Sequence, residues 1–177
     1  MATAVVSRRR RSRRAVEIAA AATALLGGVG ALCLALAPAE VVERSYGVVQ
    51  QEINRVKADV WGETPSVILG AEGGAAELAR ADGTFTHMLS YEHPGVPPVW
   101  AAHNNAGGDT ILTLEVGDRI RVTMPDRTVV HYVVSDVRIT GKHWVTTDAL
   151  IGLGGELALQ TCFYGDPHMK FIGLQAA

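Results

Sequence analysis

The stretch ELALQTCFYGDPHMKFIGLQ near the C-terminus carries Cys162. The chain has two cysteines, and the other, Cys33, lies in an apolar N-terminal segment. A thiol in this setting is either a buried filler, the common fate of cysteine, or a nucleophile. A cysteine nucleophile needs a thiolate, a proton-transferring partner and a donor for the oxyanion. Imidazole suits the second role because its pKa lies near neutrality. The six histidines are His87, His93, His103, His131, His143 and His168. His103 stands apart from the rest. It ends the apolar run PPVWAAH, where a strand gives way to the loop NNAGGD. The others show no metal-like spacing and read as structural or exposed groups. Asn104 and Asn105 read as turn formers.

Such residues need a frame, and the pattern supplies short strands. SVILGA is an apolar run ended by Gly70. DRIRVTM alternates Ile120, Val122 and Met124 against Arg119, Arg121 and Thr123, which predicts a half-buried strand. RTVVHYVVSDVRI is a second extended run, and MPDR between the two supplies a hairpin turn through Pro125 and Asp126. GKHWVTT reads as a further short strand. ELALQTC and KFIGLQA flank the loop FYGDPHM. Strands of this length, separated by turn signals, predict a mainly β fold, a barrel or sandwich. Before them, ERSYGVVQQEINRVKADVWG places Val49, Ile53, Val56 and Val60 on one helical face, with Gly62 as the stop.

The N-terminal part has a different character. From Ile18 to Pro38 there are 21 positions without a charge, about the ~20 that cross a hydrocarbon core. Arg8, Arg9, Arg10, Arg11, Arg13 and Arg14 precede this stretch, and Glu40 and Glu43 come after it. Positive charge stays on the cytoplasmic side, so residues beyond about 40 are expected outside the cell. A signal peptide cleaved before Glu40 is the competing reading, since APAE offers small residues at Ala37 and Ala39. The length of the stretch favours a retained anchor. The expected organisation is an Arg-rich cytoplasmic segment at 1–14, a transmembrane anchor at 15–40, a juxtamembrane helix at 41–63 and a β domain at 64–177. Cys33 and Cys162 then lie on different sides of the anchor's end and do not pair. An exported domain with one thiol makes a reactive cysteine a serious hypothesis.

Beyond residue 40 there are ten basic against sixteen acidic residues, a net of −6. That sign argues against nucleic-acid binding, which needs clustered Lys and Arg.

The motifs also come in a known order. WAAHNN precedes LEVGDRIRV with its Gly117–Asp118 turn, then come VVHYVVSDVRI, LQTC at Leu159–Cys162, a loop and a last apolar strand. From about residue 64 to 176 this set resembles the sortase family of cysteine transpeptidases. The resemblance implies a sortase-like β-barrel in which Cys162 attacks a backbone carbonyl in a C-terminal sorting motif of an exported protein. His103 protonates the leaving amine, and a thioester passes to an amine from the cell wall or a pilin subunit. It implies that Thr161 shapes the pocket floor and that no catalytic metal or other cofactor is used. Two positions depart from the pattern. Ala102 stands where the family has glycine before its histidine, and Lys170 stands where it has arginine. Lys is a point charge without the planar guanidinium fork, so Lys170 as oxyanion or substrate donor implies altered activity or substrate choice, with His168 a second nearby donor. The rival readings are a papain-like or L,D-transpeptidase-like envelope enzyme and a non-catalytic surface module. The order His103 before Cys162 counts against the former, and Lys170 keeps the latter open.

Overall fold

A computed structural model describes residues 37–142 and 147–177. The chain divides into two compact units, residues 1–42 and 43–177. Only positions 37–42 of the first are described. The Arg-rich segment, nearly all of the expected anchor, and Cys33, His143 and Trp144 lie outside the described residues. Among the described residues no helix is long and apolar enough to cross a membrane.

The helix expected at 41–63 is α1, Ala39–Trp61, and Gly62 comes next with φ +65°. That left-handed value suits glycine and ends the helix. The β elements are β1 Ser66–Gly73, β2 Phe85–Met88, β3 Val99–Ala101, β4 Arg119–Thr123, β5 Val129–Gly141, β6 Leu157–Cys162 and β7 His168–Ala176. A four-residue helix, α2, Ala75–Leu78, sits between β1 and β2. The seven strands form one sheet in the order β1-β2-β3-β6-β7-β5-β4, and β4 pairs back onto β1, so the sheet closes on itself.

Alternation decides what fills it. Ile120 and Val122 of β4 are fully buried while Arg119 and Arg121 face out. The turn after them forms at Pro125–Asp126: the Asp126 carboxylate accepts the Thr128 backbone N–H at 2.9 Å and its hydroxyl at 2.6 Å. β6 and β7 are buried on both faces. Leu157, Leu159, Ile172 and Leu174 belong to the interior core with Val67, Phe85, Ile111, Ile120 and Val134. Ala158, Met169 and Phe171 belong to a second cluster on the outer face, with Val99, Leu150 and Leu153. The connection between β5 and β6 builds that cluster. Arg138 Nη1 donates to the Ala149 and Ile151 carbonyls at 3.0 and 2.9 Å, which folds the connection over the sheet.

Two local expectations change. GKHWVTT is not a strand throughout: Thr147 begins a 3-10 turn, Thr147–Leu150. The apolar stripe of α1 is not its docking face, because Val49, Ile53, Val56 and Val60 remain exposed. Instead the helix meets the domain through Gly47, which is buried against the Tyr164 ring.

Candidate active site

The placement of Cys162 derives from β6 and its neighbours. β3 and β6 run parallel, pairing Val99 with Ala158, Trp100 with Leu159 and Ala101 with Gln160. The ladder continues one step, since the Ala102 N–H donates to the Gln160 carbonyl at 3.1 Å. Thr161 then closes the strand ends. Its side chain is fully buried, and its Oγ1 donates to the Ala102 carbonyl at 2.9 Å. β3 ends at Ala101 and β6 at Cys162, so His103 stands two residues past the end of β3 in the loop that leaves beside the end of β6. Neighbouring strands lie ~4.8 Å apart, and side chains alternate between faces. The alternation along β6 that turns Thr161 inward turns Cys162 to the outer face, where it packs beside the outer cluster. His103 is exposed and Cys162 is a free, half-exposed thiol.

The backbone around His103 is tightly held. Its carbonyl accepts the N–H groups of Ala106 and Gly108 at 2.9 and 3.0 Å. Gly108 has no room for a Cβ, which would lie 2.2 Å from Thr161 Oγ1 and 2.7 Å from the carbonyl oxygens of Ala102 and His103. Asn104 forms the turn as its type predicts, accepting the Asn105 N–H at 2.9 Å.

Cys162 lies beside the outer cluster of Val99, Leu150, Leu153, Met169 and Phe171, together with Tyr91 and Val96. The Tyr91 ring packs edge-on against Phe171 at 5.6 Å. Burial pushes the Tyr91 phenol up, and the charge of Cys162 pushes it further the same way. Tyr91, Val96 and Val99 also line a surface hollow of about 220 Å³ with His87, His93 and Pro98. A larger cleft, about 450 Å³, is lined by Arg55, Glu63, Glu115, Asp118 and Arg119 and includes neither His103 nor Cys162. A thiol and an imidazole at the ends of neighbouring strands supply two of the groups that nucleophilic acyl chemistry requires, and the hollow borders the same outer cluster as the thiol.

Lys170 is not where an oxyanion donor at Cys162 would stand. β7 pairs Lys170 with Thr161 and Met169 with Cys162. Lys170 therefore shares the interior face with Thr161. It is 5% exposed, and its Nζ donates to the Leu112 and Leu114 carbonyls at 2.9 and 2.5 Å. Burial pulls its pKa down, opposed by the charges of Glu115 and Asp118. The residue that β7 sets directly opposite Cys162 is the apolar Met169. His168 is turned to a different partner, its ring Nδ1 lying 2.5 Å from Asp166 Oδ1.

The strand pattern alone assigns no role to Gln160. In the structure its Nε2 donates to Cys162 Sγ at 3.8 Å. The signal was present, since residues two apart on a strand share a face. Among the described residues no group of His, Cys, Asp and Glu is placed to hold a metal ion.

No protein-family model matches the chain, and no curated protein does. The fold is similar to solved structures of sortases. Sortase A of Listeria monocytogenes matches at 17% identity over 60% of this chain and 75% of that one, with a TM-score of 0.42. Sortase C1 of Streptococcus agalactiae matches at 20% identity over 61% and 59%, with a TM-score of 0.43. Sortase C-1 of Actinomyces oris matches at 19% identity over 61% and 65%, with a TM-score of 0.46. The chain thus spans less than two thirds of the streptococcal and actinomycete proteins.

Proposed function

We propose that the chain is a membrane-anchored, sortase-like cysteine transpeptidase acting on a C-terminal sorting motif of exported proteins. The observation that carries this reading is the parallel register of β3 and β6, which brings the ends bearing His103 and Cys162 together across 58 intervening residues. The Cys162 thiolate adds to the scissile carbonyl carbon. His103 gives a proton to the departing amine, and a thioester remains on Cys162. An amine from a cell-wall peptide or a pilin subunit then attacks the thioester, with His103 taking back the proton. Thr161 acts by holding the two strand ends in register.

The test is mass spectrometry of the protein incubated with sorting-motif peptides. Wild type gains the mass of the acyl fragment on Cys162, whereas Cys162→Ala gains none. Release of product without any acyl adduct, or equal turnover by Cys162→Ala, rejects the reading.

A second reading, a non-catalytic module on the same frame, is favoured by one observation. Lys170 is committed to two interior carbonyls, so the cation expected beside the sulfur is absent from it. That reading predicts peptide binding without an adduct.

A further inference from the structure

A thiol centre that loses its expected cation needs another donor, and the outer face of β6 carries one. Gln160 precedes Cys162 by two residues and shares its face. The residues paired with it are Ala101 on β3 and Phe171 on β7, both apolar. Its carboxamide is nonetheless nearly buried, with the residue 6% exposed. Burying an amide costs free energy unless it finds a partner, and an aliphatic side chain would suit these neighbours better. The partner found is the sulfur, with Nε2 donating to Sγ at 3.8 Å.

We propose that Gln160 is the side-chain donor of the thiol centre, holding the Cys162 thiolate and then the oxyanion that forms beside it. The oxyanion half of this statement rests on the transpeptidase reading, and the thiolate half does not. In the step itself, a sulfur lone pair forms the S–C bond to the peptide carbonyl carbon. The C=O π pair moves onto oxygen, and the Gln160 N–H donates a hydrogen bond to that oxygen while keeping its proton. When the pair returns, the C–N bond breaks and the amine departs with the proton from His103. Nothing is oxidised or reduced. Amide side chains aimed at developing charge act in this way because they need no reorganisation as the charge forms.

The experiment uses the full chain with Cys33 replaced by alanine, so that one thiol reports. Gln160→Met keeps the side-chain length and removes the donor. Gln160→Glu keeps the shape and replaces the donor with an acceptor. Iodoacetamide labelling of Cys162 is tracked against pH, and thioester formation with a sorting-motif peptide is tracked by mass spectrometry. The expected result for Gln160→Met is a labelling midpoint raised by about one pH unit and a thioester rate reduced about 10²-fold. Gln160→Glu raises the midpoint further. A labelling profile that superimposes on wild type, in a variant with native circular dichroism, overturns the proposal. So does an unchanged thioester rate. If Gln160→Met does not fold, Gln160→Glu decides by the same two criteria. A raised midpoint in the variants, with no thioester in wild type, supports the thiolate role and rejects the transpeptidase reading.

Discussion

Thr161 and Lys170 face each other across β6 and β7, and they grip the one connection between β3 and β4 at different points, Thr161 at Ala102 and Lys170 at Leu112 and Leu114. Thr161 Oγ1 ties the end of β6 to Ala102, the residue before His103. Replacing it with valine keeps the volume and removes the donor, leaving a buried carbonyl short of a partner. Thr161→Val should lose about 1–3 kcal/mol of stability, read as a lower urea midpoint. It should also slow thioester formation more than it weakens peptide binding, because the two strand ends lose their tie. Equal losses in both would place Thr161 in general packing instead. Lys170 makes a prediction about pH. Burial favours its neutral amine, so its folded pKa lies below the ordinary value of ~10.4. Between the lowered value and the ordinary one, the unfolded chain holds a proton that the folded chain has released. Stability therefore rises with pH across that window and levels off above it. Urea midpoints measured up to pH ~10.5 should show this slope in wild type and lack it in Lys170→Met. Parallel curves would mean that Lys170 keeps its proton against the two carbonyls.

The elements show how a helix outside the sheet can govern the site. α1 reaches both loops that lie beyond the candidate residues. Arg44 Nη2 donates to the Gly165 carbonyl at 3.0 Å, just past Cys162. Asn54 Nδ2 donates to the Asp109 carbonyl at 3.4 Å, just past His103. Between these contacts Gly47 lies flat on Tyr164, whose ring also meets Tyr46 edge-on at 5.3 Å. A Cβ at position 47 would lie 2.5 Å from the Tyr164 Cβ, so Gly47→Leu should lift the helix. Hydrogen exchange should then speed up in α1 and in residues 163–167, while β4 and β5 stay protected. Uniform loss of protection would show that α1 and the sheet unfold as one unit. This seat was not legible in the sequence. The 3.6-residue pattern of valines and isoleucine marked a stripe that stays exposed, while the contact rests on a glycine, which has no hydrophobicity to read. β4 and its turn were legible because polar and apolar residues alternate and Pro125–Asp126 breaks the run. β2 was not, since Phe85–Met88 is four residues long and Thr86 is buried beside Phe85. The face of Lys170 was hidden for a related reason. From Met169 to Leu174 every residue of β7 is buried, so no alternation of polarity says which side is which. The pairing of β3 with β6, which sets the loop bearing His103 beside the strand that ends in Cys162, was reachable only through the resemblance of the ordered motifs. Parallel pairing between distant strands leaves no local pattern to read.

At the scale of the whole molecule, the sequence separates two chemistries by position. Six arginines lie before residue 15, and a net charge of −6 lies beyond residue 40. A strongly basic head ahead of 21 uncharged positions is the pattern that keeps an N-terminus in the cytoplasm and sends the downstream chain across the bilayer. We propose this orientation for the chain, with the closed sheet and its thiol outside the cell. The orientation matters to the proposed chemistry, which requires exported substrates and wall amines on the same side of the membrane as the thiol. The proposal predicts that the full chain sediments with membranes and resists extraction at high pH. In intact cells Cys162 should label with a membrane-impermeant maleimide, and Cys33 should label only after detergent. Changing Arg8, Arg9, Arg10, Arg11, Arg13 and Arg14 to glutamate removes the charge asymmetry that sets the topology. Labelling of Cys162 in intact cells should then fall several-fold, while labelling after detergent is unchanged. Equal labelling of Cys162 before and after that change would mean that the arginines do not orient the chain. Recovery of the mature protein beginning at Glu40, in the culture medium, would replace the anchor with a cleaved leader and leave the thiol centre to work free of the membrane.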